Sequence, residues 1–98
     1  MNIITAANET TLTVNVIGRL DTTTAPQLEE ELSDKLDGIT DLILDCAELE
    51  YVSSAGLRVI LGLHKLMMAK GSMKLVNVNS AVMEIFEITA FDGILNIE

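Results

Sequence analysis

The 98 residues are 49% hydrophobic and include one proline, which suits a single domain over residues 1–98 and argues against a disordered chain. Six basic residues against fifteen acidic residues give a net charge of −9, which argues against nucleic acid and an anionic membrane surface as partners. The N-terminal stretch lacks the features of a signal peptide and no apolar run reaches membrane-spanning length, so we expect a cytoplasmic protein.

The first elements along the chain are predicted to be two strands joined by a hairpin. Residues 2–6 are a weak strand candidate. Residues 11–17 alternate apolar and polar side chains, as a half-buried strand does. Residues 8–10, Asn-Glu-Thr, suit the turn between the two strands.

The next element is predicted to be a surface helix with one apolar side. Thr24 is expected to cap this helix, and Gln27 three residues later completes a capping box, while Pro26 is tolerated in the first turn. Gly38 is expected to end the helix. The apolar stripe consists of Leu28, Leu32 and Leu36.

A strand, a turn and a long helix follow, and the rest of the chain is organised around them. Residues 42–44 are apolar and too few for a helix, which is typical of a strand buried on both faces. Residues 55–70 are long enough for a helix of roughly four turns. The hydroxyl groups of Ser53 and Ser54 therefore lie at a helix N-terminus, where free N–H groups and the helix dipole favour an anion. This junction is the candidate functional site.

One side of this long helix is predicted to be exposed. When residues are placed about 100° apart, small residues and cations share a sector of about 80°. They are Ala55, Arg58, Gly62, Lys65 and Ala69. Almost all other positions are apolar, so we expect the helix to be buried around most of its circumference, with Met67 and Met68 in the core. Gly62 is either a neutral surface residue or a point where a partner packs against the backbone.

The C-terminal part is predicted to supply a strand, a short helix and a final strand. Residues 73–78 form the first of these, Ser80 caps the helix, and residues 94–97 form the last strand. The complete order is β-β-α-β-α-β-α-β. It indicates an α/β sandwich in which crossover helices join a mainly parallel or mixed sheet.

The sequence resembles the STAS domain family, and most closely its small single-domain bacterial anti-sigma factor antagonists. The resemblance covers essentially the whole chain and implies a STAS-like sandwich. It rests on several segments together: Gly18-Arg19-Leu20-Asp21 with Ala25 and Leu28 following, Tyr51-Val52-Ser53-Ser54-Ala55-Gly56-Leu57, Val59-Ile60-Leu61-Gly62, and residues 88–95.

The resemblance implies that Ser54 is phosphorylated by a partner that is both an anti-sigma factor and an ATP-dependent serine kinase. The unphosphorylated chain binds this partner and releases the sigma factor, phosphorylation ends the binding, and a PP2C-type phosphatase resets the chain. We expect the N–H groups of Gly56 and Leu57 to solvate the phosphoryl group, so that the fold stays intact.

Two alternatives for Ser54 stay open at this point. The family commonly has an aspartate before the phosphoserine, and Ser53 occupies that position here, so Ser53 is a minor candidate for phosphorylation. Ser54 itself is otherwise an ordinary N-cap residue, which capping preference alone would explain.

The predicted partner-binding face combines the loop after residue 20 with the exposed side of the long helix. Its candidate residues are Asp21, Thr22, Thr24, Ser53, Ala55, Gly56, Arg58, Gly62 and Lys65. His64 is expected to be a packed side chain and Cys46 a small core residue.

Nothing in the sequence favours catalysis. One histidine and one cysteine do not make a zinc-ligand set, and the sequence has neither a Walker-type phosphate loop nor a Gly-x-Ser-x-Gly elbow. We therefore expect no enzyme activity, no cofactor and no metal. Two other functions stay open: an accessory subunit of a transport complex, and a scaffold that is never phosphorylated.

Overall fold

The computed structural model describes residues 1–98, which form five strands and three α-helices. A 3₁₀ helix lies near the C-terminal end. The elements are β1 (Asn2–Asn8), β2 (Thr11–Leu20), α1 (Ala25–Ser33), β3 (Asp41–Asp45), β4 (Leu49–Val52), α2 (Ser54–Met68), β5 (Ser72–Val76), α3 (Ser80–Ile88) and the 3₁₀ helix (Phe91–Gly93). None of the helices has the length and apolar character needed to cross a membrane.

The sheet is mixed, with β1 antiparallel to β2 and the other pairings parallel. The order of the main path is β1-β2-β3-β5, and β4 pairs with β2 outside this path. The connection between β1 and β2 is the predicted hairpin, and Glu9 in its turn has φ of 56°. The predicted α/β class with a mixed sheet is therefore confirmed.

Strand β2 pairs with two successive strands along its length. Residues 11–15 pair with β3, and residues 18–20 pair with β4, with a register shift between Gly18 and Arg19. Gly18 has φ of 106°, a conformation that side chains with a Cβ rarely adopt. Leu20 pairs with Val52, and so the ends of β2 and β4 lie side by side.

Only one face of the sheet lies in the core. Buried and half-exposed residues alternate along β2, β3 and β5. In β3, Leu42 and Leu44 are each 1% exposed, whereas Ile43 between them is half-buried. The prediction that this strand is buried on both faces is wrong, because the core covers one face of the sheet only.

The order of elements differs from the prediction at two places. The sequence does not predict β4, since its four residues show no clear alternation; the strand forms because β2 extends beyond its pairing with β3. The predicted final strand is also wrong, because residues 94–97 form no strand after the 3₁₀ turn of residues 91–93. After this turn only a single bridge forms, between Ile97 and Leu75.

Helix α1 ends earlier than predicted. It stops at Ser33, and the chain then turns so that Leu36 and Ile39, each 5% exposed, still reach the core. Gly38, with φ of 78°, therefore belongs to this turn and does not end the helix. The predicted apolar stripe is confirmed as buried.

Helix α2 is less buried than predicted. Its buried stripe consists of Gly56, Leu57, Ile60, Leu63 and Met67. Leu66 is 49% exposed and Met68 is 68% exposed, so the predictions of burial around most of the helix and of a core Met68 are wrong. Periodicity does not show which apolar positions another element covers, and no element covers these. His64 is half-buried.

Cys46 is a core residue, as predicted. It is 1% exposed, and burial, with a smaller contribution from Asp45, raises the pKa of its thiol to about 12. The thiol therefore stays protonated at neutral pH, in the unreactive form that packing requires.

We predict opposite effects for two glycine substitutions, one in the middle of α2 and one just after it. A Cβ at Gly71, just after α2, would lie 2.0 Å from the carbonyl oxygen of Thr40, whereas a Cβ at Gly62 would meet no atom within 4 Å. Gly71→Ala should therefore lower the free energy of unfolding by about 1–3 kcal/mol or more. Gly62→Ala should raise it by up to about 1 kcal/mol. Urea unfolding of both variants measures the two changes, and equal stability of the two would contradict the close approach at Gly71.

Candidate functional site

The site is built where β2 and β4 end and α2 begins. Leu20 is the register partner of Val52, and the N–H of Ser53 donates a hydrogen bond of 2.8 Å to the Leu20 carbonyl oxygen. The loop after β2, residues 21–24, therefore starts directly beside the first turn of α2. The structure thus brings together the two segments that the sequence singled out.

Ser53 is the N-cap residue of α2. Its backbone is extended, with φ of −86° and ψ of 176°, and its hydroxyl oxygen accepts a hydrogen bond of 3.3 Å from the N–H of Gly56. The Ser53 carbonyl oxygen also accepts a hydrogen bond of 2.8 Å from the N–H of Leu57. The expectation that the Gly56 and Leu57 N–H groups are free for a phosphoryl group is therefore wrong, because Ser53 already binds both.

Ser54 is the first residue of α2, and its side chain is exposed. Its hydroxyl group makes no hydrogen bond within the protein, so the interpretation of Ser54 as the N-cap is wrong. The N–H groups of Ser54 and Ala55 have no partner within the helix, since only later residues reach a carbonyl four positions back. An anion attached to Ser54 would therefore meet two free N–H groups and the positive end of the helix dipole.

The loop beside Ser54 is organised by Asp21. Oδ1 of Asp21 accepts hydrogen bonds from the Thr23 N–H at 3.0 Å, the Thr23 hydroxyl at 2.8 Å and the Thr24 N–H at 3.2 Å. These bonds stabilise the ionised form, and they lower the pKa of the Asp21 carboxyl, with the Thr23 hydroxyl as the largest cause. Thr23 is a site residue that the sequence reasoning missed, although the Asp-x-Thr spacing is typical of such a turn.

The predicted capping box of α1 does not form. The Thr24 hydroxyl donates to the Arg19 carbonyl oxygen at 2.7 Å and accepts from the Asp21 N–H at 2.8 Å. The Gln27 side chain donates to the Met1 carbonyl oxygen at 3.3 Å. Both side chains are therefore used elsewhere, because the compact loop after β2 already binds the hydroxyl of Thr24.

The other predicted face residues divide into exposed and buried ones. Thr22, Arg58, Gly62 and Lys65 are exposed, and Ala55 is half-buried. Gly56 is buried, and a Cβ there would lie 2.8 Å from both the Cγ and the carbonyl oxygen of Leu20. Gly56 is needed for the close packing of α2 on β2. Its role is therefore structural, unlike that of the exposed candidates.

Two surface features near Ser54 have no signal in the sequence. A shallow depression beside Ser54 is lined by Leu57, Arg58, Leu61, Thr89 and Phe91. Its last two residues follow α3, so only the folded chain places them against α2. On the neighbouring strands β2 and β4, the guanidinium of Arg19 stacks over the ring of Tyr51, 4.4 Å from the ring centre.

Comparison of the sequence with known proteins gives consistent matches. A family model described as "STAS domain" matches residues 2–98. The "Anti-sigma-B factor antagonist" of Bacillus subtilis (strain 168) is 32% identical over 98 residues, which cover 99% of this chain and 90% of the relative. The protein of the same name in Staphylococcus aureus (strain NCTC 8325 / PS 47) is 29% identical over 99 residues, covering 99% and 92%.

Solved structures share the fold at lower sequence identity. An anti-sigma factor antagonist from Mycobacterium paratuberculosis has a TM-score of 0.87 and 21% identity, covering 98% of this chain and 83% of the other. The antagonist SpoIIAA in its unphosphorylated form has a TM-score of 0.84 at 19% identity, with coverage of 99% and 88%. The phosphorylated form of SpoIIAA from Bacillus has a TM-score of 0.75 and 18% identity, and the match covers 99% of this chain and 91% of the other.

We predict that the two adjacent serines contribute differently to stability. Ser53→Ala removes the cap of α2 and should lower the free energy of unfolding by about 0.5–2 kcal/mol. Ser54→Ala removes a hydroxyl without a partner and should leave stability nearly unchanged. Thermal melts of the two variants beside the wild type measure the difference. A larger loss for Ser54→Ala would contradict the assignment of the cap.

We predict that Asp21 stabilises the fold only when it is ionised. Its pKa is lowered in the folded state from an ordinary value of 3.8, so its contribution is present above about pH 4 and is lost as the pH falls through the folded-state pKa. Asp21→Asn should therefore melt below the wild type at pH 7, and the gap should close below pH 3.8. A gap that stays constant with pH would show that the charge of Asp21 does not matter.

Proposed function

The chain belongs to the STAS domain family, and we propose that it is an anti-sigma factor antagonist switched by phosphorylation of Ser54. The observation that supports this most directly is the free hydroxyl of Ser54 at the exposed start of α2. The antagonists named above, which match nearly the whole chain, support the type of partner. In this proposal the chain acts as a binding module and not as an enzyme.

The unphosphorylated chain binds an anti-sigma factor that also has serine kinase activity. The proposed contact face consists of exposed and half-buried residues in the loop and along α2, namely Asp21, Thr22, Ala55, Arg58, Gly62 and Lys65. Binding occupies the anti-sigma factor and so releases the sigma factor. The fixed contact between Leu20 and Ser53 keeps both parts of this face in register.

Phosphorylation changes the charge of this face without disturbing the fold. The kinase transfers the γ-phosphoryl group of ATP to the Ser54 oxygen, so that an O–P bond forms while the bond to ADP breaks and the hydroxyl proton leaves. The product carries about −1.5 to −2 charges at pH 7. The N–H groups of Ser54 and Ala55 stabilise this charge, and Arg58 lies one turn further on the same side of the helix.

The loss of binding then arises on the partner's side of the interface. A dianion in the middle of the contact face has to be desolvated and repels acidic groups of the partner. A phosphatase of the PP2C type hydrolyses the ester and returns the chain to its binding state. Because the helix N-terminus tolerates the charge, both states keep the same fold.

Serine at position 53, where the family commonly has aspartate, is compatible with this function. Serine and aspartate are both preferred N-cap residues, so the exchange preserves the cap of α2. It removes one negative charge beside the phosphoacceptor and leaves the geometry of Ser54 unchanged. Since the hydroxyl of Ser53 is used in the cap, Ser54 is the better phosphoacceptor of the two.

We predict that a negative charge at Ser54 selectively weakens partner binding. Ser54→Asp should weaken binding of the anti-sigma factor at least tenfold, which corresponds to about 1.4 kcal/mol, while Ser54→Ala should still bind. Ser80→Asp is a matched control, because Ser80 is also the exposed first residue of a helix whose preceding residue is the cap. A pull-down from native cells with mass spectrometry, using all of these baits, identifies the partner and measures its retention.

Three outcomes would contradict this prediction. Equal retention of the same partners by all baits would reduce Ser54 to a surface residue. Transport proteins among those partners would favour an accessory subunit. A lower melting temperature of Ser54→Asp than of Ser80→Asp would show that the start of α2 does not tolerate the charge.

A further inference from the structure

An apolar groove runs between α1 and α2, on a different side of α2 from Ser54. Its floor is formed by the buried side chains of Leu32, Leu36 and Leu63, and its α2 wall by Val59 and Leu66. The groove has a volume of about 390 Å³. Leu66 is 49% exposed, so apolar surface continues from the floor to the solvent.

Gly62 keeps this groove open. It lies on the groove wall, and a Cβ at its position would meet no atom within 4 Å. Glycine inside a helix is less favourable than alanine, and neither a positive φ nor close packing within the chain requires it here. Gly62 therefore leaves room for an occupant from outside the chain to approach the α2 backbone closely.

The charge around the groove is uneven. Glu29 lines its α1 side, and Glu30 is exposed on the same helix. The ion pairs of the protein are Lys35 with Glu31 and Lys74 with Glu98, so neither Glu29 nor Glu30 has a cationic partner. The α1 edge of the groove is therefore negative and suits a positively charged occupant.

The cations of α2 lie away from the groove. With about 100° per residue, Arg58 and Lys65 fall within about 40° of Ser54, whereas Val59 and Leu66 fall about 120–140° from it. The groove and the Ser54 face therefore lie on different sides of one helix and meet at Gly62, which belongs to both. A second copy of this chain is disfavoured as the occupant, because each copy carries a net charge of −9.

We propose that this groove docks an amphipathic helix of a partner protein, with its apolar stripe on Leu63 and Leu66 and with lysine or arginine along the edge that faces Glu29. A groove between two helices receives the side-chain ridge of a third helix, and apolar anchors spaced three and four residues apart match such a groove. Docking there is independent of the charge on Ser54, and it does not rest on the proposed antagonist function.

The test uses a synthetic helical peptide with leucines at positions i, i+3, i+4 and i+7 and lysines along one flank. The peptide is titrated into the ¹⁵N-labelled chain and followed by NMR. We expect shifts at Glu29, Gly62 and Leu66, and equal affinity for the wild type and Ser54→Asp. The same peptide with glutamates in place of lysines should bind at least tenfold more weakly, and higher salt should reduce this difference.

A protein variant closes the groove without touching its charges. Gly62→Gln should weaken binding of the lysine peptide at least tenfold while the melting temperature stays level or rises. Gly93→Gln is the matched control, because Gly93 is also exposed and a Cβ there also meets no atom within 4 Å. It should bind as the wild type does.

Four results would overturn the proposal. They are no binding of the lysine peptide at about millimolar concentration, equal binding of both peptides, shifts centred on Ser54, and full binding by Gly62→Gln. Groove shifts that depend on protein concentration without peptide would instead assign the groove to a second copy of the chain.

Discussion

The hydrogen bond from the Ser53 N–H to the Leu20 carbonyl oxygen is the contact on which the site depends. It joins the end of β2 to the start of α2, and Gly56 makes it possible because any larger residue would clash with Leu20. The Asp21 loop and the free hydroxyl of Ser54 are therefore held side by side by backbone contacts. Side chains on this surface can change charge without moving the elements that carry them.

The two adjacent serines have separate tasks. Ser53 satisfies the N–H of Gly56 at the helix start, which leaves Ser54 free for chemistry. The start of α3 has the same arrangement, with Asn79 as the cap and Ser80 exposed after it. An exposed serine at a helix start is therefore not sufficient for a switch. Ser54 differs from Ser80 in its surroundings, which include the Asp21 loop, Arg58 and the depression toward Phe91.

The sequence was sufficient for the elements whose pattern is local. Alternation predicted β2, and the leucine stripe of α1 is buried. The sequence was insufficient for the elements whose structure is decided by tertiary contacts. β4 exists because β2 offers it an edge, and the predicted final strand is reduced to a single bridge between Ile97 and Leu75. The cap of α3 was predicted at Ser80, one residue too late, whereas Asn79 caps the helix. Several neighbouring polar side chains can cap a helix, and only the backbone geometry selects one of them. The exposure of Met68 depends on which faces of α2 other elements cover. The periodicity of apolar residues does not carry this information.

The most direct test of this account is mapping of the phosphorylation site on the protein purified from its native cells. Mass spectrometry of the peptide that contains Ser53 and Ser54 distinguishes the two serines by fragmentation. The account predicts a phosphoryl group on Ser54 and an unmodified Ser53. A phosphoryl group on Ser53, or none on either serine under any growth condition, would contradict it.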